Sequence, residues 1–302
     1  MRFGGQEAKM KELVVISGKG GTGKTSIVAS FAALARNCVV ADCDVDAADL
    51  HLVLEPEIIS RHDFSGGKRA KIIQDKCSTC GECRDLCHFD AICKDSVTGA
   101  FHVDPIACEG CGVCAWFCPN KAIELAPAIN GEWYVSRTRF GTMVHAKLGI
   151  AEENSGKLVS TVRREARRLA EEEGKDILII DGSPGIGCPV IASLAGADFV
   201  LVVTEPTLSG LHDMKRVVEL LKHFKIPGAV CVNKWDLNPE MTCGIEKHAG
   251  AFGLEIAGRV RYDKAFTDAQ IRKEAVVEYW LDGASEDIRT AWNLLAKYLF
   301  NS

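Results

Sequence analysis

A glycine-rich segment near the start of the chain joins a short apolar run to a stretch that favours a helix. Residues 18–25 read GKGGTGKT and lie between the apolar residues 13–16 and the alanine-rich residues 26–36. This order predicts a strand, a loop and a helix, and the loop fits the phosphate-binding pattern G-x-x-x-x-G-K-[S/T]. Glycines let backbone N–H groups surround phosphate, and a helix N-terminus attracts negative charge. The segment therefore predicts a nucleotide site.

The residues of this loop have distinct expected roles. Lys24 is expected to neutralise β- and γ-phosphate oxygens, and the Thr25 hydroxyl is expected to complete the shell of a Mg²⁺ ion. The alternative, a glycine-rich loop that binds no nucleotide, is disfavoured by the strand and helix predicted on either side. The predicted nucleotide-binding residues of the loop are Gly18, Lys19, Gly20, Gly21, Thr22, Gly23, Lys24, Thr25 and Ser26.

Further apolar runs predict the sheet that carries this loop. Residues 38–41, 177–180, 199–203 and 229–232 are each followed by polar or glycine-rich residues. Such uninterrupted runs are typical of strands inside a parallel sheet with helices on both faces, so we expect an α/β fold with a mostly parallel sheet. Asp181 follows one run directly and is expected to bind a Mg²⁺ water, beside a glycine-rich loop able to reorder.

Two runs of four cysteines set residues 71–128 apart from the rest of the chain. Each run has the spacing C-x₂-C-x₂-C-x₃-C, and the second repeats the first at an offset of 31 residues. The spacing resembles bacterial ferredoxins, in which each run gives its fourth cysteine to the other cluster, and it predicts two [4Fe–4S] clusters. Zinc is the competing interpretation. One predicted set is Cys77, Cys80, Cys83 and Cys118, and the other is Cys108, Cys111, Cys114 and Cys87.

Lys19 adds a second lysine to the phosphate loop, and with it the loop resembles that of the MinD/Mrp superfamily of P-loop ATPases. This resemblance implies that Lys19 reaches the nucleotide of a second subunit, so that ATP joins a homodimer or a heterodimer with a paralogue. It also implies that Asp44, after the second strand, positions the attacking water, with Asp49 as the second choice, and that Asn233 contacts adenine. Residues 233–236 also read NKWD, so GTP stays open as an alternative nucleotide.

The expected organisation is an ATPase domain interrupted by a small α+β ferredoxin-like domain. Residues 1–70 and 129–302 are predicted to form the ATPase, and residues 71–128 the insert. We expect the linkers at residues 65–68 and 127–131, which are rich in glycine and other turn-forming residues. Outside the insert, Cys188 is expected to be a buried thiol, with a bridging metal site as the weaker alternative.

Composition and net charge bear on where the protein is located in the cell and on which partners it binds. The formal net charge is −5 without a long block of one sign, so we do not expect nucleic acid as a partner. No leader and no apolar run near 18 residues is evident, and we therefore expect a cytoplasmic chain that does not bind membranes. Reduced cytoplasmic cysteines favour metal ligation over disulfides. The terminal apolar stripe is expected to pack in the core: Ile288, Trp292, Leu295 and Leu299.

Three functions remain open at the level of sequence. The first is ATP-gated electron transfer through two [4Fe–4S] clusters to a redox or metalloprotein partner, with ATP and Mg²⁺ as the other cofactors. The second is an Mrp-type carrier or assembly ATPase for clusters or metal ions. The third is a positioning ATPase of the MinD/ParA type. The first is favoured because cysteine sets typical of resident clusters occur in the same chain as loops expected to respond to the nucleotide.

Overall fold

The computed structural model describes residues 10–149 and 155–300. Its contacts divide these residues into two compact units, and the chain passes between them several times. Unit 1 comprises residues 10–61, 133–147 and 155–300, and unit 2 comprises residues 62–132 and 148–149. Unit 2 therefore contains the predicted insert 71–128 and extends beyond it at both ends.

Apolar runs form the strands of the sheet, as the sequence predicts. The strands are β1 (Lys11–Ser17), β2 (Cys38–Asp42), β3 (Glu57–Ile72), β4 (Ile92–Lys94), β5 (Phe101–Val103), β6 (Ile123–Thr138), β7 (Gly141–Leu148), β8 (Ile177–Asp181), β9 (Phe199–Thr204), β10 (Gly228–Asn233) and β11 (Glu255–Val260). Among the described residues one sheet has the order β11-β10-β9-β1-β8-β2-β7-β6-β3.

Helices follow most of the strands of unit 1. They are α1 (Lys24–Ala35), α2 (Leu50–Leu54), α3 (Glu82–Asp85), α4 (Val113–Phe117), α5 (Ser155–Glu172), α6 (Cys188–Leu194), α7 (Leu208–Phe224), α8 (Pro239–Ala251), α9 (Ala265–Ile271), α10 (Val276–Tyr279) and α11 (Ala284–Phe300). Short 3₁₀ turns span Gln74–Lys76 and Trp235–Leu237. Two of the helices, α3 and α4, belong to unit 2.

The centre of the sheet is parallel, which confirms the predicted fold class. Strand β1 lies between β8 and β9, with Val14 opposite Ile180 on one side and Val200 on the other. Strand β2 pairs in parallel with β8, and this register sets Asp42 opposite Asp181. Because parallel strands end at the same edge of a sheet, the loops after β1, β2 and β8 lie together at that edge.

Apolar side chains of α1 and α11 cover the sheet of unit 1. Phe31 of α1 is fully buried, and its ring centroid lies 5.1 Å from that of Trp292 in α11. The expected stripe of α11 is buried as well, which confirms that it packs in the core: Ile288, Trp292, Leu295 and Leu299. No helix in the described ranges has the length and apolar character needed to cross a membrane.

Unit 2 combines short helices with an antiparallel pair of strands, β4 and β5. Its two halves use the same local device, because α3 and α4 each start after a glycine in the left-handed region, Gly81 at φ 88° and Gly112 at φ 82°. One apolar cluster of the unit consists of Ala70, Ile72, Ile92, Phe101 and Ile123, with cysteines packed against it.

The predicted linkers are wrong. Residues 65–68 lie within β3 and residues 127–131 lie within β6. The backbone N–H of Gly66 donates to the side-chain oxygen of Asn130 over 3.0 Å. Glycines here are strand residues whose backbone pairs with a neighbouring segment, so the composition of a flexible linker is misleading at this place.

Candidate functional site

The phosphate loop has the conformation that its glycines permit. Strand β1 ends at Ser17, and α1 begins at Lys24. Between them, Gly21 and Gly23 have φ values of 78° and 81°, in the left-handed region that side chains disfavour. A Cβ on Gly23 would also lie 2.4 Å from the amide nitrogen of Asn233. A larger residue at position 23 would therefore distort both the loop and its contact with β10.

Lys24 lies in a buried cluster of carboxylates. Only 5% of the residue is exposed, its ammonium contacts Asp181, and its Nζ lies 3.6 Å from Asp44 Oδ2. Burial opposes the charge of Lys24, but the carboxylates of Asp181, Asp44 and Asp42 outweigh burial and raise its pKa above the ordinary value. The cluster thus fixes a positive charge at the edge of the sheet where the loop ends.

Asp42 is a member of this cluster that sequence reasoning missed. It is the last residue of β2, is only 1% exposed and lies opposite Asp181. Burial, together with the charge of Asp181, raises the pKa of Asp42 well above its ordinary value. The available signal was an acid directly after an apolar run, which is the same signal that identified Asp181.

The carboxylates fit a hard cation. The Oδ2 atoms of Asp42 and Asp181 are buried, and neither has a hydrogen-bond partner within the described part of the chain. Such orphaned oxygens at two neighbouring strand ends suit Mg²⁺, which takes one or two carboxylates and completes its shell with phosphate and water. Thr25, the second residue of α1, follows Lys24 directly and remains the predicted hydroxyl ligand.

Asp44 lies beside this cluster on the loop after β2. Burial raises its pKa to about 6, the charges of Asp181 and Asp46 act in the same direction, and Lys24 opposes them. The loop after β8 contacts this segment, because the Ser183 hydroxyl donates to the Cys43 carbonyl over 2.6 Å. A change in either loop would therefore reach the other.

Asn233 braces the phosphate loop from the end of β10. Asn233 is only 2% exposed, and its side-chain amide nitrogen donates to the Thr22 carbonyl over 2.8 Å. Contact with adenine remains a prediction for this residue. Asp236 is the acid of the NKWD run. One of its carboxylate oxygens accepts a hydrogen bond from the backbone N–H of Tyr262 over 2.7 Å, so this oxygen already binds another segment of the chain.

Lys19 lies on the exposed side of the loop and pairs with Glu205 over 3.1 Å. Glu205 was not singled out from the sequence, although it too is an acid directly after a largely apolar strand. The predicted residues Gly18, Gly20 and Ser26 lie in the same loop or in the first turn of α1.

Eight cysteines of unit 2 line two separate cavities. The first is lined by Cys77, Cys80, Cys83 and Cys118, and the second by Cys87, Cys108, Cys111 and Cys114. Each cavity thus contains one of the two crossed sets that the repeat predicts. Apolar residues such as Ile72 and Phe101 also line the first cavity, and Cys118 Sγ accepts a hydrogen bond from the Ala122 N–H over 3.3 Å.

Burial raises the pKa values of the Cys83 and Cys114 thiols, and neighbouring thiols act in the same direction. Clustered thiols suit a soft metal group, whose positive charge would stabilise their thiolate forms. Over the residues that are described, no group of three or more His, Cys, Asp or Glu side chains is arranged to hold a single metal ion. A four-iron cluster is larger than one ion and needs its thiolates farther apart, as around a cavity.

Cys188 differs from its expected burial. The residue is exposed because it begins α6, at the end of the glycine-rich loop after β8, whereas Val190 and Leu194 form the buried face of that helix. The expectation of a buried thiol is therefore wrong. Cys93, which belongs to neither predicted set, is also exposed.

A phosphate loop between a strand and a helix, with acids at the ends of neighbouring strands, defines a P-loop nucleotide-binding protein. The chain matches the family described as "CobQ/CobB/MinD/ParA nucleotide binding domain" over residues 13–276. It belongs to this family and has the fold of a MinD/ParA-type ATPase.

Two relatives and a solved structure are similar to the chain over most of its length. The chain is 36% identical over 236 residues to the protein MJ0578 of Methanocaldococcus jannaschii, covering 75% of this chain and 79% of that protein. It is 26% identical over 283 residues to MJ0579 of the same organism, covering 90% and 93%. The MinD structure with Mg-ADP from Pyrococcus horikoshii has a TM-score of 0.59 at 15% identity, covering 96% of this chain and 97% of that chain. At this identity the last comparison supports the fold alone.

Proposed function

We propose that this protein is an ATP-hydrolysing iron–sulfur protein in which nucleotide-dependent dimerisation governs electron transfer to a partner protein. The observation that carries the proposal is the arrangement of eight cysteines around two cavities, four at each, in the same chain as the phosphate loop. A further similarity is compatible with it. Over 61 residues, 20% of this chain and 9% of the relative, the chain is 41% identical to the indolepyruvate oxidoreductase subunit IorA of Thermococcus kodakarensis.

The cysteines at each cavity would act as thiolate ligands. Two [4Fe–4S] clusters, when bound, would each accept and release one electron. Around them, the chain supplies apolar walls and a backbone N–H aimed at Cys118 Sγ. A hydrogen bond to a ligating sulfur and exclusion of water both tune the reduction potential. Zinc is less well supported, because zinc sites usually pair C-x₂-C with a distant second pair, whereas each run here has four cysteines within eleven residues.

In unit 1, the residues of the phosphate loop and of the neighbouring strand ends would have separate roles in ATP hydrolysis. Lys24 would neutralise phosphate oxygens, and Asp42, Asp181 and Thr25 would hold Mg²⁺ and its waters. Asp44 would orient the attacking water through its carboxylate. The hydrogen bond from Ser183 to Cys43 would transmit a change at the loop after β8 to the segment that carries Asp44. Asn233 would keep the loop in place, in addition to any contact with adenine.

The dimer is the part of the proposal that involves Lys19. In the MinD/Mrp class this second lysine reaches the nucleotide of the other subunit, and here Lys19 is partly exposed on the loop. A homodimer or a heterodimer with a paralogue would satisfy this requirement. A heterodimer gains support from MJ0578 and MJ0579, two proteins of one organism that both resemble this chain.

Chain connectivity offers a route for coupling. The acidic loop after β2 leads through α2 into β3, and unit 2 begins within that strand at residue 62. A movement of the loop that carries Asp44 would therefore act on a segment that enters the cysteine unit directly. We expect the nucleotide state to alter the potential of the clusters or the accessibility of unit 2 to its redox partner.

A spectroscopic redox titration tests this proposal. Anaerobically purified protein would be titrated without nucleotide, with MgADP and with MgATP. A shift of about 59 mV in a one-electron couple corresponds to about 1.4 kcal/mol of coupling, and we expect at least this shift with MgATP. Lys24→Ala should abolish the shift while leaving the iron content unchanged. Identical potentials in all three states, with and without the partner, would contradict gated electron transfer.

A carrier of clusters or metal ions is the second candidate, and the exposed Cys188 thiol beside the loop after β8 favours it. Two resident [4Fe–4S] clusters account for about eight irons per chain. A reproducible iron content above this value, lost on Cys188→Ser and released on addition of MgATP, would favour the carrier. An iron content of about eight that MgATP leaves unchanged would favour electron transfer.

A further inference from the structure

Glu205 holds two lysines at once. It is the first residue after β9, and 14% of its side chain is exposed. Its Oε2 atom lies 3.1 Å from Lys19 Nζ, and its Oε1 atom lies 2.5 Å from Lys234 Nζ. Each carboxylate oxygen thus accepts from a different lysine. Burial opposes ionisation of Glu205, but the two lysines outweigh it and lower the pKa of the carboxyl.

The start of α7 completes the environment of Lys19. The Lys19 ammonium also lies 3.2 Å from the Ser209 hydroxyl, which is itself 3.2 Å from the Thr207 hydroxyl. Thr207 caps α7 by accepting the Gly210 N–H over 3.0 Å. A Cβ on Gly210 would lie 2.3 Å from the Glu205 carbonyl oxygen, so this tight turn needs a glycine. Glu205 and Ser209 are therefore held on one turn as a preformed receptor for an ammonium group.

The second lysine keeps a different set of contacts. Lys234 follows β10 with φ 57°, and its Nζ donates to the Gly21 carbonyl of the phosphate loop over 3.3 Å as well as to Glu205. Lys234 therefore ties Glu205 to the body of the loop. If Lys19 left, Glu205 would still be paired with Lys234. The departure of Lys19 would therefore not leave a largely buried carboxylate unpaired. An unpaired carboxylate is the costly outcome when one partner of a buried pair is removed.

We propose that Glu205 is a positioning residue that holds Lys19 against its own subunit and releases it when the lysine engages the nucleotide of a partner subunit. This inference rests on the dimer proposed above. One ammonium cannot keep its contacts with Glu205 and Ser209 and also reach across an interface. The pair with Glu205 thus opposes dimerisation, and the triphosphate of the partner subunit must offer Lys19 a stronger attraction than one shared carboxylate.

The sharing of Glu205 makes two substitutions act in opposite directions. Glu205→Gln removes the negative charge that retains Lys19, so Lys19 is freer to cross. Lys234→Gln leaves Glu205 with Lys19 as its sole cationic partner among the described contacts, so Lys19 is held more strongly. A general loss of loop structure would instead weaken the dimer in both variants. The sign of the two effects therefore separates retention of Lys19 from a merely structural role.

The test is the dimer dissociation constant in the presence of Mg²⁺ and a non-hydrolysable ATP analogue, measured by sedimentation on the holoprotein. Glu205→Gln should lower this constant by roughly 3- to 10-fold, because partly exposed ion pairs are individually weak. Lys234→Gln should raise it by roughly 2- to 5-fold. Ser209→Ala, which removes only the hydroxyl contact, should lower it by less than Glu205→Gln. Glu172→Gln, which breaks the exposed pair with Arg168 on α5, serves as the charge-matched control.

Affinity of the monomer for MgADP is measured alongside in every variant, so that a change in the dimer dissociation constant is separated from a change in nucleotide binding. A dimer that is unchanged or weaker in Glu205→Gln overturns the role of Glu205, as does an effect of the same sign in Glu205→Gln and Lys234→Gln. Should Glu205→Gln fail to fold, the opposite signs expected for Ser209→Ala and Lys234→Gln decide the question. A parent protein that stays monomeric with the analogue would overturn the proposed dimer and this inference together.

Discussion

The two units hold their chemically active side chains in different ways. In unit 1, Lys24 is buried against carboxylates and Lys19 is paired with Glu205. In unit 2, the cysteines of each set surround a cavity, and most of them pack against a cluster of five buried apolar residues. Unit 1 thus pairs both lysines of its phosphate loop with its own carboxylates, whereas unit 2 leaves the centre of each cysteine set to a bound group.

This difference has an energetic consequence. A small unit buries too little apolar surface to be stable on its own and depends on metals or other cross-links. Unit 1 has a continuous core across the sheet that includes Phe31, Leu201 and Trp292. We therefore expect loss of metal to unfold unit 2 and loss of nucleotide to leave unit 1 folded. The four predictions that follow test this contrast.

Removal of iron should produce the largest effect. Anaerobic chelation should increase amide hydrogen exchange by about 100-fold or more across residues 62–132, because ligand binding and folding of a small metal-dependent unit are linked. Strands β1 and β8 should keep their protection, since their core includes none of the cysteines of the two predicted sets. Mass spectrometry of exchanged peptides measures both regions in one sample. Equal protection of residues 62–132 before and after chelation would contradict the contrast.

Lys24→Ala should have the next largest effect. The substitution leaves the buried carboxylates of Asp181 and Asp44 without their cation, and breaking a buried pair in this way costs about 3 kcal/mol. The midpoint of urea unfolding should fall accordingly, and nucleotide binding should be lost. Lys273→Ala, which breaks the exposed pair with Glu55, is the matched control and should cost about 0.5 kcal/mol or less. If the two variants had the same midpoint of urea unfolding, the ion pairs of Lys24 would not stabilise unit 1.

His145 offers a test within unit 1 that depends on pH. Burial, with a smaller contribution from the charge of His51, lowers the pKa of His145 to about 4. The imidazole stacks on Tyr134 and lies 2.9 Å from the Ser136 hydroxyl. Because the folded-state pKa is depressed below 6.5, the neutral side chain is accommodated above pH 6.5, and stability is lost as the pH falls from 6.5 towards 4.

In His145→Gln this loss should be reduced. Between pH 6.5 and pH 5 the unsubstituted protein should lose about 2 kcal/mol more of its free energy of unfolding than the variant does. Urea unfolding at both pH values, followed by a probe in unit 1, measures the difference. Parallel pH profiles would show that acid sensitivity arises elsewhere, for example from loss of the metal in unit 2.

The sequence predicts the fold of unit 1 well because apolar runs, a glycine-rich loop and an acid at a strand end are local signals. Asp181 belongs to this class. Asp42 and Glu205 have the same local signal but were missed, and their importance is evident only from neighbours that are distant in sequence: Asp42 lies opposite Asp181 through strand pairing, and Glu205 joins two lysines from separate loops. The linkers were misassigned because glycine has the same composition signal in a strand as in a loop.

The spacing of the cysteines is also a local signal, and it predicts which cysteines share a cluster. Cys93 tests whether the position of a cysteine in the spacing pattern, and not its presence in unit 2 alone, makes it a ligand. Cys93 lies on β4, opposite His102, and is not among the residues that line either cavity. Cys93→Ser should therefore leave the iron content and the exchange of residues 62–132 unchanged and alter stability by about 0.5 kcal/mol or less. Cys83→Ser, the matched variant within a predicted set, should remove about half of the iron. Iron and zinc analysis of both purified variants measures the result. A loss of metal in Cys93→Ser equal to that in Cys83→Ser would mean that Cys93 is a ligand, and the crossed assignment of the two sets would have to be abandoned.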